Sequence, residues 1–358
     1  MNVFSFVYLA VFLLAGFCIA RRALPQAGLS VSIPLGCGFG VSLLAFVPAC
    51  FAVVLGFRLP ALLLAAAVVA ALAVWLARHG TPFTRVPDPD AAALWACVLP
   101  LAVVTLYLLH THVLHLVDGS YHTGQSCYGD MAMHLGFIKN IAVTGKLPPV
   151  YPLLGGEHRF GYPFLCETVS SVFLVLGADA RTAYLLPMLA AFISVYGMMW
   201  QLARQVLGSA GKACLAFWLF FMGNGFGFVY FLGSAGAFVR HLLPGFYTTP
   251  TNYTAENIVW VNPIVDLLIP QRATLFGWCV LFPALYLVWR FCMEEETRLW
   301  RYLTLLVLPL PLMHTHSALA LVLICLACGV YTLVCRPRTR PCLPHGDGLP
   351  WCAAWSGW

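Results

Sequence analysis

In the stretch "SCYGDMAMHLGFI", Ser126 to Ile138, an aspartate and a histidine stand four residues apart in a chain that otherwise avoids charge. If the segment is helical, Asp130 and His134 lie one turn apart on one face. A carboxylate and an imidazole so placed can bind a divalent metal such as Mg or Mn, or act as a base with an orienting partner. The plainer alternative is that Asp130 is an N-terminal anion satisfying the helix dipole. Spacing alone leaves both open.

Other polar residues of chemical interest fall into three groups. Glu157, His158 and Arg159 form a cluster in "GGEHRFGYP", flanked by glycines, and suit acceptor contacts, a second metal ligand or a solvated charge run. Gln271 and Arg272 sit in "NPIVDLLIPQRATLFGW" just ahead of an apolar run, where a guanidinium can meet a lipid phosphate with paired hydrogen bonds or merely snorkel to headgroups. His314 and His316 flank Thr315 in "LMHTHSALAL". Their i,i+2 spacing is not a helical chelate, so hydrogen bonding to a phosphate or sugar hydroxyl suits them better than metal, against plain interfacial histidines.

The elements that carry these residues must be membrane helices. The chain is 61% hydrophobic and only 9% charged, with a mean hydropathy of +0.86, which leaves too little polar surface to coat a soluble globule of 358 residues. Long apolar runs without alternation choose helices over a barrel. The expected fold is all-α, a polytopic transmembrane bundle of about nine helices, given about 20 apolar residues per span. They run at 2–20, 34–56, 60–77, 92–111, 182–203, 212–232, 273–290, 299–314 and 317–335, with Pro309 and Pro311 softening the end of the eighth. The first run has no basic n-region and no small-residue cleavage site, so it is expected to be retained.

Basic residues set the orientation. With the N-terminus outside, Arg21, Arg22, Arg78, Arg85, Arg204, Lys212, Arg290, Arg298, Arg301 and the arginines of the tail fall inside. The net charge of +6 is thereby explained without a nucleic acid. Most histidines, with Asp118, Asp130, Glu157, Glu167, Asp179, Glu256 and Asp266, then collect on the outer face. The division along the chain is 1–91 as N-terminal hairpins, 92–335 as a core with outer loops at about 112–181 and 233–272, and 336–358 as an irregular tail.

The first outer loop is expected to hold two helices at the membrane surface. One spans 129–143, with an apolar stripe at Met133, Phe137, Ile138 and Ile141, and ends at Gly145 and the paired prolines of "TGKLPP". The other, 163–177, is amphipathic or re-entrant and counted as interfacial. Cys127 and Cys166 share this loop and suit a bridge in an oxidising compartment. Cys325 and Cys328 make a C-x-x-C only by spacing, mid-helix in lipid. Asn252 begins an N-x-T sequon.

The stretch "GDMAMHLGFIKNIAVTGKLPPVYPLLGGEHRFGYPFLCETVSSVFLVLG" resembles the first outer loop of the GT-C superfamily, polytopic glycosyltransferases that use polyprenyl-phosphate-linked sugars. The shared features are an acid just beyond a transmembrane helix, a surface helix, a G-x-LPP break, a "YP" pair and a second loop helix ending in "LG". The resemblance covers roughly 92–335. It implies sugar transfer from a polyprenyl-phosphate donor to an acceptor at the outer face of a bacterial inner or plasma membrane. Asp130 would be general base or metal ligand, His134 would position it or share the metal, and Arg272 would meet the leaving phosphate. This chain has no second acid beside Asp130, which puts metal dependence in question. Such enzymes usually continue into further helices, so the tail from Arg336 reads as a truncation. Rival expectations are a transporter or flippase, for which "MGNGFGF" at 222–228 would be a helix break, and a surface-polysaccharide polymerase or ligase.

Overall fold

The structure, a computed structural model, describes residues 3–80, 86–124, 127–156, 158, 160–223 and 262–335. Its long helices are α1 (Val3–Ala23), α2 (Leu29–Leu55), α3 (Leu59–His79), α4 (Ala91–His112), α7 (Ala180–Leu207), α9 (Arg272–Met293) and α12 (Thr315–Cys335). Between α4 and α7 lie α5 (Tyr128–Thr144) and α6 (Leu165–Val175). The rest are α8 (Ala210–Met222), a π-helical turn at Pro263–Leu268, α10 (Trp300–Val307) and α11 (Leu310–Met313). Among the described residues, seven helices are long and apolar enough to cross a membrane. The protein is an all-α, multi-pass integral membrane protein.

Two expected spans come out differently. The run read as 299–314 is broken at Leu308 and Pro309 into α10 and α11, because neither Pro309 nor Pro311 can donate to the ladder. The run read as 212–232 begins as the 13-residue α8, and its remainder lies outside the described residues. One element was not anticipated at all. His115–Val117 and Ser120–His122 form an antiparallel hairpin with His115 opposite His122. Its two-residue turn, Asp118–Gly119, has φ of 48° and 80°, the conformation for which Asp-Gly is suited.

The centre of the bundle is α2, α7 and α9. Their most apolar stretches are 61%, 72% and 67% buried, whereas that of α12 is 11% buried. Lipid offers no hydrophobic drive between helices, so close backbone approach and hydrogen bonds do the work. A Cβ on Gly16 of α1 would stand 2.2 Å from the carbonyl oxygen of Gly36 and 2.4 Å from the nitrogen of Gly40, both on α2. Gly38, on the other side of α2, receives the ring of Pro283. Ser194 of α7 donates to the carbonyl of Cys279 on α9 at 3.0 Å, and Thr105 of α4 bonds the Tyr196 hydroxyl of α7 at 2.6 Å.

Polar groups separate to the two ends. At one end Asp88 accepts from Ser30, Gln201 donates to Ser30, Arg204 pairs with Asp90 at 2.8 Å, and Arg290 pairs with Glu294 and Glu296. At the other lie α5, α6, the α2–α3 turn and the start of α9. Phe57 of that turn donates its N–H to the carbonyl of Gly145 at 2.7 Å.

Gly16→Val is expected to lower the thermal unfolding midpoint of detergent-purified protein by several degrees, in line with about 1–3 kcal/mol for overpacking a tight contact. Gly211→Ala, where the nearest atom to a new Cβ is 3.9 Å away, should leave the midpoint in place. A tolerated Gly16→Val would refute the close α1–α2 approach.

Candidate functional site

Helix α5 begins after Cys127, which supplies no side-chain cap, and carries Asp130 in its first turn. Gly145 closes it, with φ of 66° and its N–H on the carbonyl of Ile141, a left-handed C-terminal residue of the kind glycine permits. The buried face is Met131, His134, Phe137, Ile138 and Ile141, a spacing of three and four. This face turns into the protein, which corrects the expectation of a helix lying on the lipid surface. Met133 lies off the stripe and is half-buried.

The reason is α6. Every residue from Leu165 to Phe173 is buried, so α6 is an internal helix of 11 residues rather than an amphipathic one at the interface. Ser171 donates to the carbonyl of Ile138 at 3.0 Å and fastens it to α5. Near its start stands Glu167.

Glu167 is the hub of this end. Its Oε1 accepts from Nδ1 of His134 at 2.5 Å, and its Oε2 lies 3.5 Å from Nε of Arg272; all three side chains are 0% exposed. A carboxylate only accepts, so the Nδ1 proton faces Glu167 and, in a neutral ring, the lone pair is on Nε2. Arg272, the first residue of α9, also donates to Ser170 Oγ at 2.5 Å and to the carbonyl of Tyr184 at 3.2 Å. Its guanidinium lies over the rings of Tyr184 at 4.1 Å and Phe276 at 5.1 Å. A cation at a helix N-terminus runs against the dipole, and Glu167 supplies the opposing charge.

Asp130 is half-buried and has a different partner. Nε2 of Gln271 donates to its Oδ2 at 2.6 Å. Gln271 is held in place by the turn before it, where Asn262 accepts from the N–H groups of Ile264 and Val265, and Asp266 accepts from the N–H of Asn262. Cys127 is buried beside this group; burial and then the Asp130 and Asp266 charges push its thiol up to about 12. Cys127 and Cys166, for which a bridge was one possibility, are both free thiols. The thiol of Cys166 instead donates to Glu167 Oε1 at 3.5 Å and is raised by burial, then by that carboxylate.

Next to the hub opens a cavity of about 720 Å³. One wall is the chain from Pro148 to Val150 and from Phe160 to Phe164, with His158; the other is Pro311, Leu312 and Thr315. Phe137, Tyr151, Phe160 and Tyr162 form one cluster of rings along the first wall. Tyr162 links the cavity to the buried charges: burial raises its hydroxyl, with Cys166, Glu167 and Asp130 adding to the effect, and its ring meets that of His134 edge-on at 6.1 Å. A second, almost wholly apolar cleft of about 260 Å³ lies between α2, α4 and α7 and carries no charged group.

The residues singled out by sequence are thus only partly brought together. Asp130 and Gln271 meet, as do His134 and Arg272 through Glu167. Asp130 and His134 share a helix turn yet bond to different partners, so the imidazole does not orient the Asp130 carboxylate directly. Arg272 has no surface with which to meet a lipid phosphate, because ring stacking and Glu167 enclose it. His314 turns inward: its side chain packs on Gly277, Nδ1 bonds Ser317 Oγ at 2.7 Å, and burial, then His316, lowers it to about 4. His316 is exposed, its ring 5.4 Å from that of His314, and Thr315 between them faces the cavity. His158 lines the cavity and bonds the carbonyl of Gly155 at 2.8 Å. Glu157, Arg159, Asn252, most of the second loop and the tail lie outside the described residues.

Among the described residues no three His, Cys, Asp or Glu side chains converge on a metal-sized point. Asp130 and His134, the residues considered for a divalent metal, bond Gln271 and Glu167 respectively, and no chemistry below is routed through a metal. Glu167 went unassigned by sequence reasoning; a lone acid in "PFLCETVSSVFLVLG" is the signal that singles it out. No family model, no curated protein and no solved structure matches the chain.

Removing Arg272 strands a buried carboxylate. Arg272→Met is expected to cost about 3–5 kcal/mol, read as a large fall in thermal midpoint in detergent. Adding Glu167→Gln to it should recover part of that loss; a double variant no better than the single would argue against the pairing.

Proposed function

We propose that the protein is a membrane glycosyltransferase that moves a sugar from a polyprenyl-phosphate donor to an acceptor hydroxyl at the bundle end carrying α5 and α6, facing outward. The observation that carries this reading is Asp130. It is a half-exposed carboxylate held by Gln271 at the end of a transmembrane bundle, one helical turn from His134, whose ring meets that of Tyr162 on the wall of the roomy cavity. The resemblance of this loop to GT-C enzymes supports the same assignment.

In this mechanism Gln271 occupies Oδ2 of Asp130 and leaves Oδ1 for the acceptor. The acceptor hydroxyl gives its proton to Asp130 as its oxygen bonds the anomeric carbon. The bond from that carbon to the phosphate oxygen breaks, and the polyprenyl phosphate leaves with the electron pair. A positioned base contributes roughly 100- to 10,000-fold. Since Arg272 is enclosed, the polar side chains left to meet the leaving phosphate are His158 and Thr315 on the cavity walls, each of which would have to exchange its present bond, to the carbonyl of Gly155 or of Pro311, for one to the phosphate. The aromatic and proline side chains there suit the apolar face of a sugar ring and the start of a polyprenyl chain.

Membranes containing the protein, given a labelled polyprenyl-phosphate sugar, are expected to show transfer that Asp130→Asn lowers at least about 100-fold, with the variant inserted and monodisperse. Unchanged transfer would remove the base. A cysteine at Gly119 should react with an impermeant maleimide from outside intact cells; labelling only after lysis would put this end in the cytosol.

A further inference from the structure

The proton transfer above makes no use of Glu167, one of the fully buried charged groups at this end of the bundle. Glu167 is fully buried, yet each of its carboxylate oxygens faces a different helix, His134 on α5 and Arg272 on α9. Asp130 lies one turn before His134, and Gln271 immediately precedes Arg272. The contacts therefore close on themselves. Asp130 bonds Gln271, the chain leads on to Arg272, Arg272 pairs with Glu167, Glu167 accepts from His134, and one turn of α5 returns to Asp130.

A second feature shows why Asp130 needs this. Cys127, the residue before α5, supplies no side-chain cap, and a first turn without one frays readily. The first side-chain anchor on the buried face beyond that turn is His134 on Glu167. We infer that Glu167 is a positioning residue for the transfer, holding the Asp130 carboxylate against Gln271 by clamping α5 through His134 and α9 through Arg272. This rests on the reading of Asp130 as the base.

The substitution Glu167→Gln cuts the ring with little change of shape. Its amide oxygen can still accept from His134, but its NH2 then faces a guanidinium. His134→Leu cuts the other side and leaves the Arg272–Glu167 pair whole. Hydrogen exchange followed by mass spectrometry in detergent reads the clamp without any assay of transfer. Both variants are expected to speed exchange in peptides covering 128–134 about tenfold, with α7 as in the parent protein, as expected of a local opening. If Glu167→Gln unfolds the whole protein, His134→Leu decides alone; protection of 128–134 in a folded His134→Leu variant overturns the inference.

Transfer kinetics add a readout that a merely structural role would not give. Glu167→Gln should lower kcat about 10- to 100-fold, as loss of an orienting partner does, with KM little changed. Combined with Asp130→Asn it should cost nothing further, since the two act as a unit. A multiplicative loss in the double variant overturns the inference. Full activity in Asp130→Asn would sink the base assignment alone, leaving the exchange result to judge the clamp.

Discussion

A guanidinium fully withdrawn from solvent must have a countercharge within reach, and the arrangement of one whole end of this bundle follows from that requirement. Arg272 opens α9, where the helix dipole already disfavours a cation, and the apolar rings of Tyr184 and Phe276 enclose it. Glu167 answers it from α6, which is why a short helix with a charge near its start can be buried along nearly its whole length. Once Glu167 is fixed, its other oxygen draws in His134, and α5 is drawn in with it. Stacking on two rings favours arginine over lysine here, since a planar cation can lie flat on both.

The remainder of the bundle is held by contacts of another kind. Where α1 meets α2, and α2 meets α9, glycine removes the side chain that would keep backbones apart, and isolated hydroxyls span the gaps. These contacts are short-ranged and carry no charge, as suits hydrocarbon. Among the described residues, ion pairs are confined to the two ends: partly exposed at one, where Arg204 meets Asp90, and sealed at the other, where Arg272 meets Glu167.

Much of the architecture was legible in the residues themselves. Composition and run length gave a helical membrane protein, and Gly145 with the two prolines after it placed the end of α5 to within a residue. Local geometry also put Asp130 in a first turn and Arg272 at a helix start. What escaped was partnership. Helical spacing says that Asp130 and His134 share a turn, but not that His134 falls on the buried stripe with Met131, Ile138 and Ile141 and so faces inward. The pairing of Glu167 with Arg272 joins segments far apart in the chain, and no local pattern encodes it. Asp118–Gly119 carried a hairpin signal that the surrounding apolar runs obscured, and Pro309 broke a span that hydropathy alone read as continuous.

The bond from Phe57 to the carbonyl of Gly145 gives α5 a third fastening. With Gln271 at its start, α6 along its middle and the α2–α3 turn at its end, the helix is a cross-brace bolted over the mouth of the bundle rather than a hatch. On the proposed reading, a guest too wide for the recess beside it would be admitted at the opposite jamb, the Pro311–Thr315 corner, next to α12, little of whose length is gripped by neighbours. Entry would then be sideways, out of the bilayer, and not from the water above.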